Sequence, residues 1–252
     1  SESIIKCGSY VGTGSATVPN HVELGFEPQY WLFKNTTRDA DWWCIDTMRG
    51  ADYSGTARLF PNTSGAEVAA GLNVVPTATG FDLYNNNDSH NRSGDTYIYI
   101  AIRRPMKTPE SGTEVFAPVG ATSTAPLWKS SFPVDAGLYR YIIGSGAGTF
   151  FGSRLTGTGR LESSSSAAEV TDGSFKWDYM NGWFDNSFDN TNFVGYNFKR
   201  ATGFMDVVAY TGDGASSHAI THNLTVIPEL IICKSRTASC DWATYTAPTG
   251  AG

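Results

Sequence analysis

The sequence is short of charge, short of helical pattern and without a long apolar run. Charged residues make up only 17% of its 252 positions while aromatics reach 13%, which excludes a disordered chain and fits a folded globular one. No apolar stretch approaches the roughly 20 residues that span a bilayer, so membrane insertion is not expected. Lys and Arg number 18 against 24 Asp and Glu, a net charge of -6, and a chain without a basic footprint is not expected to bind nucleic acid. From Ser1 onward no basic start leads into an apolar core, so no signal peptide is visible. The four cysteines, Cys7, Cys44, Cys233 and Cys240, include no CxxC pair. They make a poor disulfide framework and read as free thiols, with Cys233 and Cys240 as small apolar fillers. No HExxH, GxSxG or P-loop is present. The "GSGAG" at Gly144 lacks the later Gly and the helix of a dinucleotide site and reads as a turn. Neither enzymatic activity nor a cofactor is therefore expected.

What the sequence has is repetition. "YVGTG" begins at Tyr10 and "YTGDG" at Tyr210, an offset of 200. The same offset aligns Gly12 with Gly212, Leu24 with Leu224, Pro28 with Pro228, Lys34 with Lys234, Asp41 with Asp241 and Trp42 with Trp242. A second echo has an offset of 102: "RLFPNTSGAEV" from Arg58 lies against "RLESSSSAAEV" from Arg160, which pairs Arg58 with Arg160 and Glu67 with Glu169. "YIYIAIRR" from Tyr97 then lies against "FVGYNFKR" from Phe193, and "GFEP" at Gly25 against "SFPV" at Ser131. These matches describe a module of about 100 residues, present twice and then begun again. The expected organisation is residues 1–202 as a β-sandwich built from two diverged halves, about 1–105 and 106–202, followed by the start of a further copy at 203–252. Residues copied in this way are expected to be structural.

The local pattern is that of strands. "YWLFK", "TYIYIAI", "YRYII", "FVGYNF", "MDVVAY" and "ELIICK" are short and rich in aromatic and β-branched residues. Gly- and Asn-rich turns separate them. In "TYIYIAIRR", Tyr97, Tyr99 and Ala101 share one face and Ile98, Ile100 and Ile102 the other. Hydrophobicity alone predicts the isoleucines inward. "TSGAEVAAG" and "SSSSAAEV" could each form a helical turn or two, capped by serine. The fold class expected is all-β, a sandwich or jelly-roll-like domain with an internal pseudo-repeat.

Few residues offer chemistry. Trp177 and Trp183 sit among Asp and Asn in "KWDYMNGWFDN", with Asp185 beside them. Aromatic faces next to carboxylates and amides are what sugar-binding surfaces use, and core packing is the competing reading. "NNNDSHNRSGD" gathers oxygen ligands around Asp88 and Asp95, which makes them Ca²⁺ candidates; a polar hairpin loop is the alternative. The same choice applies to "FDNSFDNTN" from Phe184. Glycosidases on β-sandwiches need two carboxylates across a cleft, and Glu162 and Glu169 stand in no such pattern. N-x-[ST] triplets open at Asn35, Asn62, Asn87, Asn91 and Asn223, and matter only for a protein secreted from a eukaryote.

The stretch "GFMDVVAYTGDGASSHAITHNLTVIPELIICKSRTASCDWATY" resembles the repeating unit of virion structural proteins of tailed phages, especially marine and cyanobacterial ones. "YIYIAIRRPMKTP" and "VGYNFKRATGF" resemble further stretches of the same family, so the likeness runs over nearly the whole chain. Its motifs mark strands and turns, not a chemistry. The resemblance implies a non-enzymatic virion component made in a host cytoplasm, part of a tail fibre or surface appendage. Its partners would be copies of itself or other virion proteins, with a host-surface glycan as a candidate ligand. The first copy departs from the pattern, since Val22 stands where the later copy has His222. The runner-up readings are a secreted carbohydrate-binding sandwich and a capsid decoration protein.

Overall fold

The structure is a computed structural model and describes residues 4–51, 56–69, 74–142, 148–171, 175–185, 191–247 and 250–251. The described residues are all-β, in antiparallel sheets, with one 3₁₀ turn at Gly112–Glu114. They divide into two compact units: Ser1–Pro105 with Val208–Thr221, and Met106–Val207 with His222–Gly252. No helix is long and apolar enough to cross a membrane.

The first unit contains β1 (Ile5–Val11), β2 (Asn20–Glu23), β3 (Pro28–Asn35), β4 (Trp43–Asp46), β5 (Ala57–Arg58), β6 (Val68–Ala69), β7 (Val74–Pro76), β8 (Gly80–Leu83) and β9 (Thr96–Arg103). One sheet runs β1-β9-β3-β4, a second β2-β8-β7, and β5 pairs with β6. The core holds Trp31, Phe33, Trp43, Ile45, Phe81 and Leu83. The face of β9 is the reverse of the expected one: Tyr97, Tyr99 and Ala101 are buried, while Ile98 and Ile100 are about two-fifths exposed (42% and 41%). Hydrogen bonding outweighs hydrophobicity here. The Tyr97 hydroxyl accepts from the Arg92 amide at 2.9 Å and donates to the Asp88 carbonyl at 3.0 Å. The Tyr10 hydroxyl, its ring stacked on Tyr97 at 4.9 Å, donates to the His90 carbonyl at 2.8 Å. Isoleucine at Tyr97 would leave the part-buried Arg92 amide without this partner, at about 1–3 kcal/mol, while the Asp88 carbonyl would keep the bond from Asn35 Nδ2 at 2.6 Å.

The second unit contains β10 (Phe116–Gly120), β11 (Trp128–Lys129), β12 (Ala136–Tyr141), β13 (Thr149–Ser153), β14 (Gly159–Glu162), β15 (Val170–Thr171), β16 (Phe175–Lys176), β17 (Gly182–Asp185) and β18 (Phe193–Phe198). Its sheets run β10-β18-β12-β13-β14-β15 and β11-β17-β16. Each strand of the first unit thus has a counterpart nine strands later, with the same neighbours except that β13 and β14 form a ladder where β4 reaches the β5 end only through the single bridge Cys44 to Leu59. Register agrees as well: Arg58 lies opposite Val68, and Arg160 opposite Val170.

The remaining strands are β19 (Leu230–Cys233), β20 (Ala243–Thr246) and β21 (Gly250–Ala251). The hairpin β19–β20 repeats β3–β4 with the offset of 200: Tyr30 faces Asp46 as Leu230 faces Thr246, and Phe33 faces Trp43 as Cys233 faces Ala243. One backbone bond occurs in all three copies: Thr47 to the Gln29 carbonyl (2.9 Å), Arg154 to that of Asp135 (2.9 Å) and Ala247 to that of Glu229 (2.8 Å).

"MDVVAY", expected as a strand, forms none; residues 206–224 carry no strand. Its counterpart β1 has its ladder on β9 alone, and among the described residues no strand pairs with residues 205–210. The helical turns expected near Ser64 and Ser163 are also absent. Val68–Ala69 and Val170–Thr171 are instead the strands β6 and β15; residues 70–71 lie outside the described residues, as do 144–147 of "GSGAG". Ladder bonds outweigh the weak helical propensity of a serine-rich stretch.

The two cores reach similar packing by exchanging size across the sheets. In the first unit the large residues Trp31 and Tyr99 of β3 and β9 meet Phe81 of β8, at 6.0 and 5.9 Å between rings, with Val22 beside Phe81 across β2 and β8. In the second unit the positions of Trp31 and Tyr99 are Gly137 and Gly195, and those of Phe81 and Val22 are Trp183 and Trp128. Those indoles fill the room the glycines leave: a Cβ on Gly137 would lie 2.4 Å from Trp183, and one on Gly195 2.3 Å from Trp128. Close-packed interiors require this compensation. Gly195→Ala is therefore expected to destabilise the second unit by about 2 kcal/mol, and Trp128→Val by about 3 kcal/mol. The double variant should lose clearly less than the sum, as denaturant unfolding in a double-mutant cycle will read. Strict additivity would contradict size exchange.

Candidate functional site

The copied residues form one constellation per unit. The Arg58 guanidinium lies over the Trp43 ring at 4.3 Å, and that of Arg160 over Phe150, the counterpart of Trp43, at 5.0 Å. Each contact contributes roughly 1 kcal/mol. Burial pulls the Arg58 pKa down. Glu67 binds Arg49 at 2.8 Å. The second unit has Thr156 at the Arg49 position, and Glu169 takes instead a two-pronged contact from Arg236 of the third copy, at 2.6 and 2.7 Å. The Glu169 amide also donates to the Arg236 carbonyl at 2.9 Å. Trp242 donates through Nε1 to the carbonyls of Glu162 and Ser165 at 3.2 and 3.3 Å, while its partner in the repeat, Trp42, is held through its amide by Asn62 at 3.0 Å. Pro28 opens β3, and Pro228 stands two residues before β19. Arg160 also lines a small cavity with Phe150, Glu162 and Val170; the contacts of these paired residues described above hold strands together.

The sugar-binding candidates are core residues. Trp177 is 3% exposed, and Trp183 and Asp185 are fully buried. Trp183 is sandwiched, stacking on Trp177 at 4.9 Å and on Trp128 at 4.4 Å. The indole N–H groups are satisfied internally, Trp177 by the Gly157 carbonyl and Trp183 by Asn197 Oδ1, both at 2.7 Å. Asp185 accepts from the Tyr139 hydroxyl at 2.8 Å, and burial raises the Tyr139 pKa strongly. Neither of these two indoles has a face open for a pyranose to stack on. The sequence pattern of Trp beside Asp and Asn reflects polar groups that satisfy buried indoles.

The loop from Asn85 to Asp95 is a polar plug. Asp95 Oδ2 accepts from Asn35 Nδ2 at 2.9 Å and Arg38 Nε at 2.8 Å, and the Asn35 bond, helped by Arg38, holds its pKa below the usual carboxylate range. Asp88 is exposed and paired with Arg92 at 2.5 Å. The buried Asn91 accepts from the Thr13 amide and Asn20, both at 2.9 Å. The two aspartates thus face separate cations rather than converging. Among the described residues no group of three or more His, Cys, Asp or Glu is placed to hold a metal. The second oxygen-rich stretch, from Phe184, lies mostly outside the described residues. All four cysteines are thiols, and Cys240 is exposed rather than filling the interior.

The arrangement nearest to reactive chemistry was not readable from the sequence. His21 on β2 faces Asp82 on β8, with Nδ1 2.7 Å from the carboxylate. Its Nε2 lies 3.1 Å from Glu23 and 3.5 Å from the Thr79 hydroxyl. Thr, His and Asp in that order suggest a nucleophile and its base. Glu23, however, competes for Nε2, and the two carboxylates favour the charged imidazole, so Nε2 is less available as a base. The trio works as a cross-strand ion cluster. His21 and Glu23 share a strand face, which period two shows; the Asp82 pairing depends on a register that no local pattern encodes.

Both units also expose apolar surface on the outer face of the larger sheet. In the first this includes Ile5, Ile98 and Ile100; in the second, a shallow depression lined by Phe116, Pro118, Phe198 and Phe204. A family model described as a domain of unknown function, DUF7483, matches residues 2–105, the main segment of the first unit. No curated protein and no solved structure matches the chain.

Two histidines should titrate in opposite directions. The hydrogen bond that His21 donates to Asp82, with Glu23 adding to it, raises the His21 pKa. Burial lowers that of His90 to about 4, with its Nε2 donating to the Tyr84 carbonyl. A raised histidine stabilises the fold below the unfolded value of about 6.5 and loses that contribution as pH rises through its folded pKa. A lowered one stabilises above about 6.5 and loses its contribution as pH falls toward 4. NMR titration should place the His21 midpoint above the ordinary value, falling in Asp82→Asn, and leave His90 neutral until near pH 4.

Proposed function

We propose that this chain is a non-enzymatic structural protein of a tailed-phage virion, part of a tail fibre or surface appendage, serving assembly and adhesion to the host surface. The observation that carries the reading is the repeated module, in which the polar and aromatic residues that could do chemistry are spent on holding the fold. Phage appendages are long, and tandem modules with exposed apolar sheet faces suit a protein that works by stacking against its neighbours. The sequence resemblance to virion repeat proteins points the same way. On this reading the partners are further virion proteins, copies of the chain, and a surface glycan engaged by exposed loops. The buried tryptophans have no part in binding.

Mass spectrometry of purified particles tests the proposal. Peptides of this sequence should copurify with intact virions through a density gradient, and polysaccharides should survive incubation with the purified chain. Peptides confined to the lysate, or hydrolysis abolished by one Asp or Glu substitution, would overturn it.

A further inference from the structure

The larger sheet of each complete unit has two sides, and they end differently. On one side β4 and β13 meet further chain: Cys44 exchanges backbone bonds with Leu59 at 2.9 and 3.0 Å, and β13 pairs with β14. On the other side stand β1 and β10, and among the described residues neither has a strand beyond it. The open edge belongs to the module, since β10 has it well inside the chain.

Antiparallel pairing turns the backbone groups of alternate residues to opposite sides of a strand. The Ile4 carbonyl accepts from Arg103 at 2.8 Å and the Gly12 amide donates to Asp95 at 2.9 Å, so Lys6, Gly8 and Tyr10 between them also face β9. Ile5, Cys7, Ser9 and Val11 face away. In β10 the bonds of Val115 and Ala121 to Lys199 and Phe193, both 2.8 Å, turn Phe116, Pro118 and Gly120 outward. Register makes Pro118, opposite Tyr196, the counterpart of Cys7, opposite Ile100. The outer edge of β10 therefore lacks a donor at its centre, one of the ways a sheet edge is kept from pairing. β1 has no such guard. Its register on β9 runs unbroken over seven residues. Its one charge, Lys6, reaches back to the carbonyls of Glu23 and Leu24 at 3.0 and 3.2 Å, and Ile5 and Val11 are more than half exposed.

We propose that the outer edge of β1 is a self-association site, where two copies of the chain join antiparallel about a two-fold axis at Cys7. The inference deepens the assembly reading proposed above, and rests on it, by naming a contact between copies. An antiparallel edge is complementary to itself, because the same amides and carbonyls donate and accept on both sides. The Val11 carbonyl already accepts from Asn20 at 2.9 Å, so Ile5, Cys7 and Ser9 carry the new ladder, with Ile5 of each copy opposite Ser9 of the other. No charged side chain stands on that face of β1, so the two-fold brings no like charges together. The joined sheet also continues the apolar outer face that Ile5, Ile98 and Ile100 begin.

Sedimentation equilibrium of the purified chain, its thiols kept reduced, should show monomer and dimer in exchange with a Kd on the order of 10 µM. The amides of Cys7 and Ser9 should exchange with solvent about tenfold more slowly in concentrated than in dilute protein, while those of Phe116 and Gly120 on the β10 edge should not change. Cys7→Pro removes an outward donor without breaking the β9 ladder, as Pro118 does in the second unit. Cys7→Lys keeps the donor and sets like charges opposite each other. Each should raise the Kd by about tenfold or more, with the NMR signals of β3 and β8 in place. A chain monomeric up to about 1 mM, exchange at Cys7 and Ser9 that ignores concentration, or a dimer that either folded variant leaves intact would overturn the proposal. Sedimentation of the pure chain and mass spectrometry of virions read different quantities, so either reading can fail alone.

Discussion

Each unit depends on one strand. β9 is hydrogen-bonded along its length to β1 on one edge and to β3 on the other, and β18 does the same for β10 and β12. They are the last strands of residues 1–105 and 106–207 in sequence, so the ladder closes only when distant segments meet. Residues 203–252 include no strand of this type among the described residues. Their hairpin forms, because β19 and β20 are close in sequence and their register is set locally. Their β1 counterpart does not form a strand, and the apolar side chains of β19 stay in solvent. Local pairing survives alone, while non-local pairing needs its partner.

Around that ladder the module tolerates large changes as long as volume is kept. Two aromatics on one sheet in the first unit become two glycines in the second, and the opposite sheet grows from Val22 and Phe81 to Trp128 and Trp183. The Arg-over-aromatic contact persists with Trp43 exchanged for Phe150. The Glu67 partner, Arg49, has no equivalent in the second unit, and Glu169 turns to Arg236 of the following copy instead. A repeat can thus drift in sequence while its strand order and register hold, because backbone pairing fixes the frame and side chains need only fill it.

Much of the frame was legible in the sequence. The offset of 200 stands out because no insertion interrupts it, and β19–β20 falls in the register it implies. The relation between the two complete units was harder to read, since loops of different length change the offset along the chain. It is 106 at Gln29 and Asp135, 102 at Arg58 and Arg160, and 96 at Tyr97 and Phe193. The face of β9 could not be read, because its direction depends on hydroxyl partners in a loop that only the fold brings near. The tryptophans misled for a related reason: the Asp and Asn beside them suggested an exposed polar surface, yet Asp185 is itself buried and bonded to Tyr139. His21 and Asp82 lie 61 residues apart, joined by register and not by motif.

Native-state hydrogen exchange of the full chain, read residue by residue, tests most directly whether a β9-type strand is what each module depends on. The amides of β9 and β18 should be the slowest in their units, with β3 and β12 close behind. Those of Leu230–Ile232 should exchange about a hundredfold faster or more than their β3 counterparts. Equal protection of β3 and β19 would contradict the account, since the hairpin would then need no flanking strand.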